Sequence, residues 1–300
     1  MEHGKLKKTA ALVSVASNTA LVIAKLIIGL LIGSVSVLSE AIHSAVDLTA
    51  SLVAYFAVRT SEKPADEQHA FGHGKYENLS GTIEAILIFF AAGWIFYEAI
   101  HKLIKTSPLD NPGWGIIVML VSSVVNIVVS RMLFKVGNKT DSIALKADAW
   151  HLMTDVYTSA GVMLGLTVVW LGEMIWPGTH LHWIDPFAGI MVAILIVKAA
   201  WHLTQESVSD LLDQSLPKEE EDWITECIME MHPRVISFHH LRSRKSGSTR
   251  FIEFHITVDP EMTVGQSHDL NDDLVAEIKT RFADSKVMIH IEPSDTQSIK

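Results

Sequence analysis

Cysteine is almost missing: Cys227 is the only one in 300 residues. One thiol excludes an intrachain disulfide and is too little for a cysteine-based zinc site. The plain expectation for Cys227 is a small buried residue on a helix. Positive charge is short as well. Lys and Arg number 24 against 34 Asp and Glu, for a net charge of −10, and no stretch concentrates the basic residues. That balance argues against a nucleic-acid partner. No G-x-x-x-x-G-K-[ST] stretch occurs, so energy for any transport must come from an ion gradient and not from a nucleotide held in a P-loop.

Charge of either sign is scarce up to about Leu203, and long apolar runs take its place. A membrane-spanning helix needs about 20 mainly apolar residues. Six runs qualify: Thr9–Gly33, Val35–Val58, Leu79–Ile104, Pro112–Val136, Ser142–Trp170 and Ile184–Leu203. The first is too long for a cleaved signal peptide, and more spans follow it. With the N-terminus inside, the inner segments carry Lys5, Lys7, Lys8, Arg59, Lys63, Lys75, Arg131, Lys135 and Lys139. The outer loops carry little beyond Lys102 and Lys105. This bias predicts that both ends are cytoplasmic.

The division expected is 1–209 for the six-helix membrane domain and 210–300 for a charged tail. Pro217, Lys218 and three Glu predict a helix start. Val235–Arg244 and Arg250–Val258 alternate as strands joined by a turn at Gly247. Val264–Phe282 has helical periodicity, and "KVMIHIEP" reads as a last strand. The order α-β-β-α-β predicts a compact α+β domain with both helices on one sheet face. Ile252, Phe254, Ile256 and Val258 then point to the helices. His255, His290 and Glu292 gather on the helix-free face, and strict alternation turns His240 away from His239.

Two stretches carry chemistry at membrane depth. "EAIHSAVDLTASL" holds His43 and Asp47; "DAWHLMTDVYTSAGVML" holds His151 and Asp155. Residues four apart share a helix face. A carboxylate at bilayer depth costs about 2.5–3.5 kcal/mol on insertion scales, which makes it a functional candidate. One such pair alone could be a hydrogen-bonded couple in a bundle core. Two identical pairs in separate spans present four N/O donors, a set that suits tetrahedral Zn²⁺. Asn18 and Asn126 read as interhelical hydrogen-bonders, Lys25 and Lys198 can snorkel or face a cavity, and Glu84 sits near the inner end of the third span.

The loop "PADEQHAFGHGKYEN" supplies Asp66, His69 and His73, with Gly72 and Gly74 to turn it sharply. The tail supplies His239, His240, His255, His268, His290 and Glu292. His180 and His182 fall in an outer loop and read as solvated.

The six spans, the paired motifs in spans two and five, the "DEQHAFGHGK" loop and the tail run "HLRSRKSGSTRFIEFH" resemble the cation diffusion facilitator family over nearly the whole chain. The nearest likeness is its bacterial zinc-exporter branch (FieF/YiiP type). The resemblance implies six transmembrane helices with a metallochaperone-like cytoplasmic domain. It implies a homodimer in the inner membrane that exports divalent metal, Zn²⁺ above all, in exchange for protons. It assigns His43, Asp47, His151 and Asp155 to the transport site, and Asp66, His69 and His73 to an inner-loop site. It draws a two-metal cytoplasmic site from His239, His255, His268, His290 and Glu292, and pairs Lys75 with Asp213 to hold the dimer. His43 stands where that branch carries Asp, and Glu292 where it carries a shorter Asp. Cd²⁺, Fe²⁺ and Co²⁺ stay open as alternative substrates.

Two other readings compete. An intramembrane zinc hydrolase needs an open coordination position and a general base; the chain has no H-E-x-x-H, and four donors close the site. A membrane-anchored metal sensor would explain the tail donors but has no use for ligands at mid-bilayer.

Overall fold

A computed structural model describes residues 2–32, 35–104, 113–175 and 184–294. Gly33, Lys105, Pro112, His180 and His182 lie outside them. The chain divides into two compact units, 1–208 and 209–300.

The first unit is built on six long helices: α1 (Glu2–Ile32), α2 (Val35–Ser61), α3 (Lys75–Ile104), α4 (Gly113–Thr140), α5 (Ile143–Ile175) and α6 (Ile184–Leu211). Each of the six apolar runs forms one of them. Among the described residues, α1 to α4 contain stretches long and apolar enough to cross a membrane. Several helices overrun the apolar runs by polar turns. α3 starts at Lys75 rather than Leu79, because Glu77 and Asn78 are buried in its first turn. The run length reports what the membrane requires, whereas the helix continues as long as its polar turns find partners.

Side-chain burial in this unit is inverted relative to a water-soluble protein. Asn18, Asp47, Glu84, Asp148 and His151 are buried, while Leu30, Phe90, Trp94 and Val128 are exposed. Small residues let the helices approach closely. Ala10, Ala11, Ala57, Ala144 and Ala149 line one core among α1, α2, α4 and α5. Ala85, Ala92, Ala147 and Ala200 line another among α3, α5 and α6. At the loop-side end of the helices, Lys7 is buried with its Nζ 3.0 Å from Glu77 Oε1 and 3.5 Å from Glu62 Oε1. Glu77 also accepts hydrogen bonds from Ser61 and Ser142. One carboxylate thus ties α1, α2, α3 and the start of α5 together.

The second unit has the expected order: α7 (Lys218–Glu230), β1 (Ser237–Ser246), β2 (Thr249–Val258), α8 (Val264–Arg281) and β3 (Ser285–Pro293). The sheet order is β1-β2-β3. β1 and β2 pair antiparallel across a tight turn in which Gly247 has φ 59°, and β2 and β3 pair parallel. A parallel pair needs a crossover, which α8 provides. α8 starts in a capping box between Thr263 and Gln266.

Ile252, Phe254, Ile256 and Val258 of β2 pack against Ile224, Cys227 and Ile228 of α7 and Leu270, Leu274 and Ile278 of α8. Arg250 grips Glu220 with two hydrogen bonds of 2.7 and 2.8 Å, fixing α7 to β2. Burial pushes the Cys227 thiol up to about 11, so it stays an unreactive core residue at neutral pH.

Phe254 is among the largest fully buried side chains. Phe254→Ala should lower the opening free energy of the tail amides by about 3–5 kcal/mol. Hydrogen exchange across β2 in the full-length chain measures it.

Candidate metal centres

The two His-x-x-x-Asp motifs meet across helices. His43 Nε2 of α2 lies 3.5 Å from Asp155 Oδ1 of α5, and His151 Nε2 of α5 lies 3.3 Å from Asp47 Oδ1 of α2. Each histidine therefore pairs with the aspartate of the other motif. Donor atoms of His43, Asp47 and Asp155 all come within 4.8 Å of one another, and His151 joins them through Asp47. Access is uneven: the His43 side chain is 55% exposed and that of His151 8%. His151 Nδ1 is buried without a partner.

One polar neighbour bonds to this quartet, and others bond among themselves on the same helices. Asn126 of α4 donates to Asp155 Oδ2 at 3.5 Å, as an interhelical hydrogen-bonder should. Asn18 of α1 donates to Ser51 Oγ at 2.6 Å, and Ser51 donates to Asp148 Oδ1 at 3.0 Å. Lys25 does not snorkel; it is buried and donates to Ser44 Oγ at 2.8 Å. Asp148, in the polar start of the fifth run, does not stand out from the sequence alone. Its signal was that of any intramembrane carboxylate, one helical turn before His151.

The loop between α2 and α3 forms a second centre. Asp66 Oδ1 accepts the His69 backbone N–H at 2.7 Å and lies 3.2 Å from His69 Nδ1, while Oδ2 lies 3.2 Å from His73 Nε2. The two rings are 4.3 Å apart. Gly72, with φ 89°, supplies the turn that folds His73 back toward Asp66. The backbone N–H of His69 is the main reason why the Asp66 carboxyl is held below its ordinary range, with the two imidazoles adding to it. Buried His73 keeps Nδ1 without a partner.

The third centre lies on the helix-free face of the tail sheet. His239 opposes His255, and His255 opposes His290, in strand register. Their rings are 5.2 and 4.7 Å apart. Glu292 reaches all three: His255 Nδ1 at 3.0 Å, His239 Nε2 at 3.3 Å and His290 Nε2 at 3.5 Å. Its carboxyl is held below the ordinary glutamate range, first by His255 and then by the other two imidazoles.

His240 corrects the alternation argument. The register shifts between His239 and Arg242, and His240 has φ 55°. A bulge of this kind adds a residue without changing face. The His240 ring consequently stands 4.8 Å from His239 and 5.1 Å from His255, and donor atoms of the three fall within 4.8 Å. His268 is not brought to this group; it sits on α8 with Nε2 3.6 Å from Asp272 Oδ2. Lys75 opens α3, and Asp213, with φ 56°, faces Arg244 Nη1 at 3.3 Å.

Comparison with known proteins covers both units. The family model "Cation efflux transmembrane domain" matches residues 11–212, and "Cation efflux protein, cytoplasmic domain" matches 216–294. An uncharacterized transporter of Synechocystis is 36% identical over 96% of this chain and 91% of its own length. The cation-efflux pump FieF of Salmonella paratyphi A is 34% identical over 97% of this chain and 94% of its own. Among solved structures, the metal-bound C-terminal domain of the CzcD transporter from Thermotoga maritima is 31% identical. It covers 28% of this chain and 100% of its own, with a TM-score of 0.24.

Glu292 gives the tail a signed pH dependence. Its folded pKa is lowered, so its contribution is full above the unfolded value of about 4.3 and is lost as pH falls through the folded one. Glu292→Gln should abolish that acid-side loss of β3 protection, measured by hydrogen exchange of the metal-free chain against pH. His240→Ala should lower the metal bound per chain in the tail and leave Asp66, His69 and His73 loaded, as counted by metal analysis.

Proposed function

The chain belongs to the cation efflux family and is an efflux transporter, not an enzyme; we propose that it exports Zn²⁺ from the cytoplasm in exchange for protons. It does so as a homodimer in the inner membrane, with both termini cytoplasmic. The observation that carries this reading is the reciprocal pairing of His43 with Asp155 and of His151 with Asp47.

Two imidazoles and two carboxylates form a donor set that Zn²⁺ accepts in a tetrahedron. Binding requires neutral histidines and ionised aspartates, so metal entry releases protons and metal departure takes them up. The same four side chains therefore serve both ions, and exchange needs no separate machinery for the counter-ion. Because the donors sit on two helices, relative movement of α2 and α5 makes and breaks the set. Access alternates when that movement exposes it to one side and then the other.

Asp66, His69 and His73 form an inner-loop metal site. In the tail, His239, His255, His290 and Glu292 form the cytoplasmic site, with His240 as an additional imidazole. Metal there neutralises charge on each sheet face and draws two tails together. His268 stands apart within one chain, so its place in the site depends on the dimer. Lys75 and Asp213 supply the pair that holds the dimer.

The test is metal flux in proteoliposomes with an imposed pH gradient. Asp47→Ala and Asp155→Ala should each abolish Zn²⁺-dependent proton flux while the dimer stays folded; flux at the wild-type rate in either variant overturns the transport-site assignment. His43→Asp adds an oxygen donor, which suits the larger Cd²⁺. The Cd²⁺-to-Zn²⁺ uptake ratio should rise, and an unchanged ratio removes His43 from selectivity. Combining His255→Ala with His290→Ala should lower tail metal content and loosen the dimer, with transport reduced but present. Complete loss of flux with the tail still loaded contradicts the role given to the tail.

A further inference from the structure

Four helix ends meet at one buried carboxylate. Glu77 lies in the first turn of α3 and Lys7 in the second turn of α1; both are buried, with Lys7 Nζ 3.0 Å from Glu77 Oε1. The same oxygen accepts from Ser61 of α2 at 2.8 Å, and Oε2 accepts from Ser142. Ser142 immediately precedes α5, and its Oγ accepts the Leu145 backbone N–H at 3.5 Å. Glu77 therefore holds the cap of the helix that carries His151 and Asp155. Glu62, just past the end of α2, reaches Lys7 Nζ from the rim at 3.5 Å, with 27% of its side chain exposed. Gly4 leaves no room for a Cβ beside the Glu62 carboxyl, so α1 lies directly against this group.

Two more layers close the α1–α2–α5 interface between this end and the quartet. The first is apolar: Ala10 and Ala11 of α1, Ala57 and Val58 of α2, and Ala144 and Leu145 of α5 are buried together. The second is polar. Ser51 of α2 accepts from Asn18 at 2.6 Å, lies 3.2 Å from Ser14 Oγ and donates to Asp148 Oδ1 at 3.0 Å, and all four residues are buried. Asp47 and His151 come next, one helical turn further along α2 and α5. From Ser142 to His151 the distance along α5 is about 13 Å. An ion entering between these helices from the Glu77 end reaches the quartet only if α2 and α5 part. Parting them breaks the bonds of Ser61 and Ser142 to the one carboxylate.

A purely structural staple has no need of charge here, because replacing a buried ion pair by apolar side chains is often neutral or stabilising. What the pair adds is reversibility. Once parted, Lys7, Glu62 and Glu77 are solvated by the water that enters, whereas alanines and leucines in their place would resist it.

We propose that Lys7 and Glu77, with Ser61 and Ser142, form the cytoplasmic gate of the transport cycle: a polar clasp, closed in this structure, that parts to admit metal to the quartet. This deepens the reading above, in which movement of α2 against α5 alternates access, and it rests on the orientation given there, with both termini cytoplasmic. Lys7 is a positioning residue that acts through Glu77.

The full-length protein in proteoliposomes of known orientation tests this. Ala144→Cys places a thiol beneath the clasp, and Ala92→Cys places one in the core of α3, α5 and α6; both alanines are buried. A membrane-impermeant maleimide is applied from the cytoplasmic face. Combining Lys7→Met with Glu77→Gln removes both buried charges. Labelling at Ala144→Cys should then rise about tenfold, with Ala92→Cys unchanged. The KM for cytoplasmic Zn²⁺ should fall about fivefold and the maximal rate should fall too, because the cytoplasm-open state gains population. Lost stability alone would lower the rate and leave KM where it was. Exchanging the charges, Lys7→Glu with Glu77→Lys, should restore slow labelling. An unchanged rate at Ala144→Cys, or an equal rise at Ala92→Cys, overturns the clasp. Labelling of Ala144→Cys from the outer face alone overturns instead the orientation, and the cytoplasmic place of the clasp with it.

Discussion

Ionisable groups buried among membrane-spanning helices must be answered by a partner, and that constraint organises the first unit. His43 and His151 each reach across to the aspartate of the other helix. Pairing within one motif would leave α2 and α5 independent. Pairing across them makes the contact between the helices depend on the state of the donors. The small residues that let helices approach, Ala144, Ala149 and their neighbours, provide the closeness that this pairing requires. Glu77 plays a comparable part at the end where α3 begins, where one carboxylate gathers Lys7, Ser61 and Ser142 from three other segments.

The tail meets the opposite problem. Its candidate metal donors lie in water, so the register of the sheet is what brings them together. His239, His255 and His290 occupy one row across β1, β2 and β3 because the antiparallel and the parallel ladders agree at His255. The buried row beneath, with Ile256 between Phe238 and Ile291, holds that register. A slip of one residue would send the imidazoles into the core, and the core residues out. The arrangement of the candidate donors is thus stabilised from the far side of the sheet.

Much of this was legible in the residues. Apolar run length predicted the six helices, and period-two alternation placed Phe254 inward and His255 outward. Spacing of four put each His and Asp on one helix face, but it could not say that the pairs would cross, because that is a property of two helices and not of one. His240 departs from the alternation for a related reason. Alternation assumes an unbroken ladder, and the bulge that breaks it is a backbone feature at φ 55°; histidine is enriched at positive φ, but only a small share of histidines adopt it, so residue type alone does not announce the bulge. The resemblance groups His268 with the sheet donors; within one chain α8 presents it next to Asp272. Asp148 is not legible as a buried group from its polar stretch, because what marks it is a partner on another helix, Ser51 of α2.

If the quartet is the transport site proposed above, its donor set carries an electrical consequence. Two ionised aspartates and two neutral histidines sum to a charge of minus two. One divalent cation cancels that charge, and so do two protons. The loaded and the protonated forms then present the same net charge to the surrounding hydrocarbon, and the Born penalty for carrying the site past the bilayer centre is alike on the outward and return strokes. On the proposed exchange of one divalent metal for two protons, a voltage across the membrane has little to act on in either direction, and the direction of turnover is left to concentration.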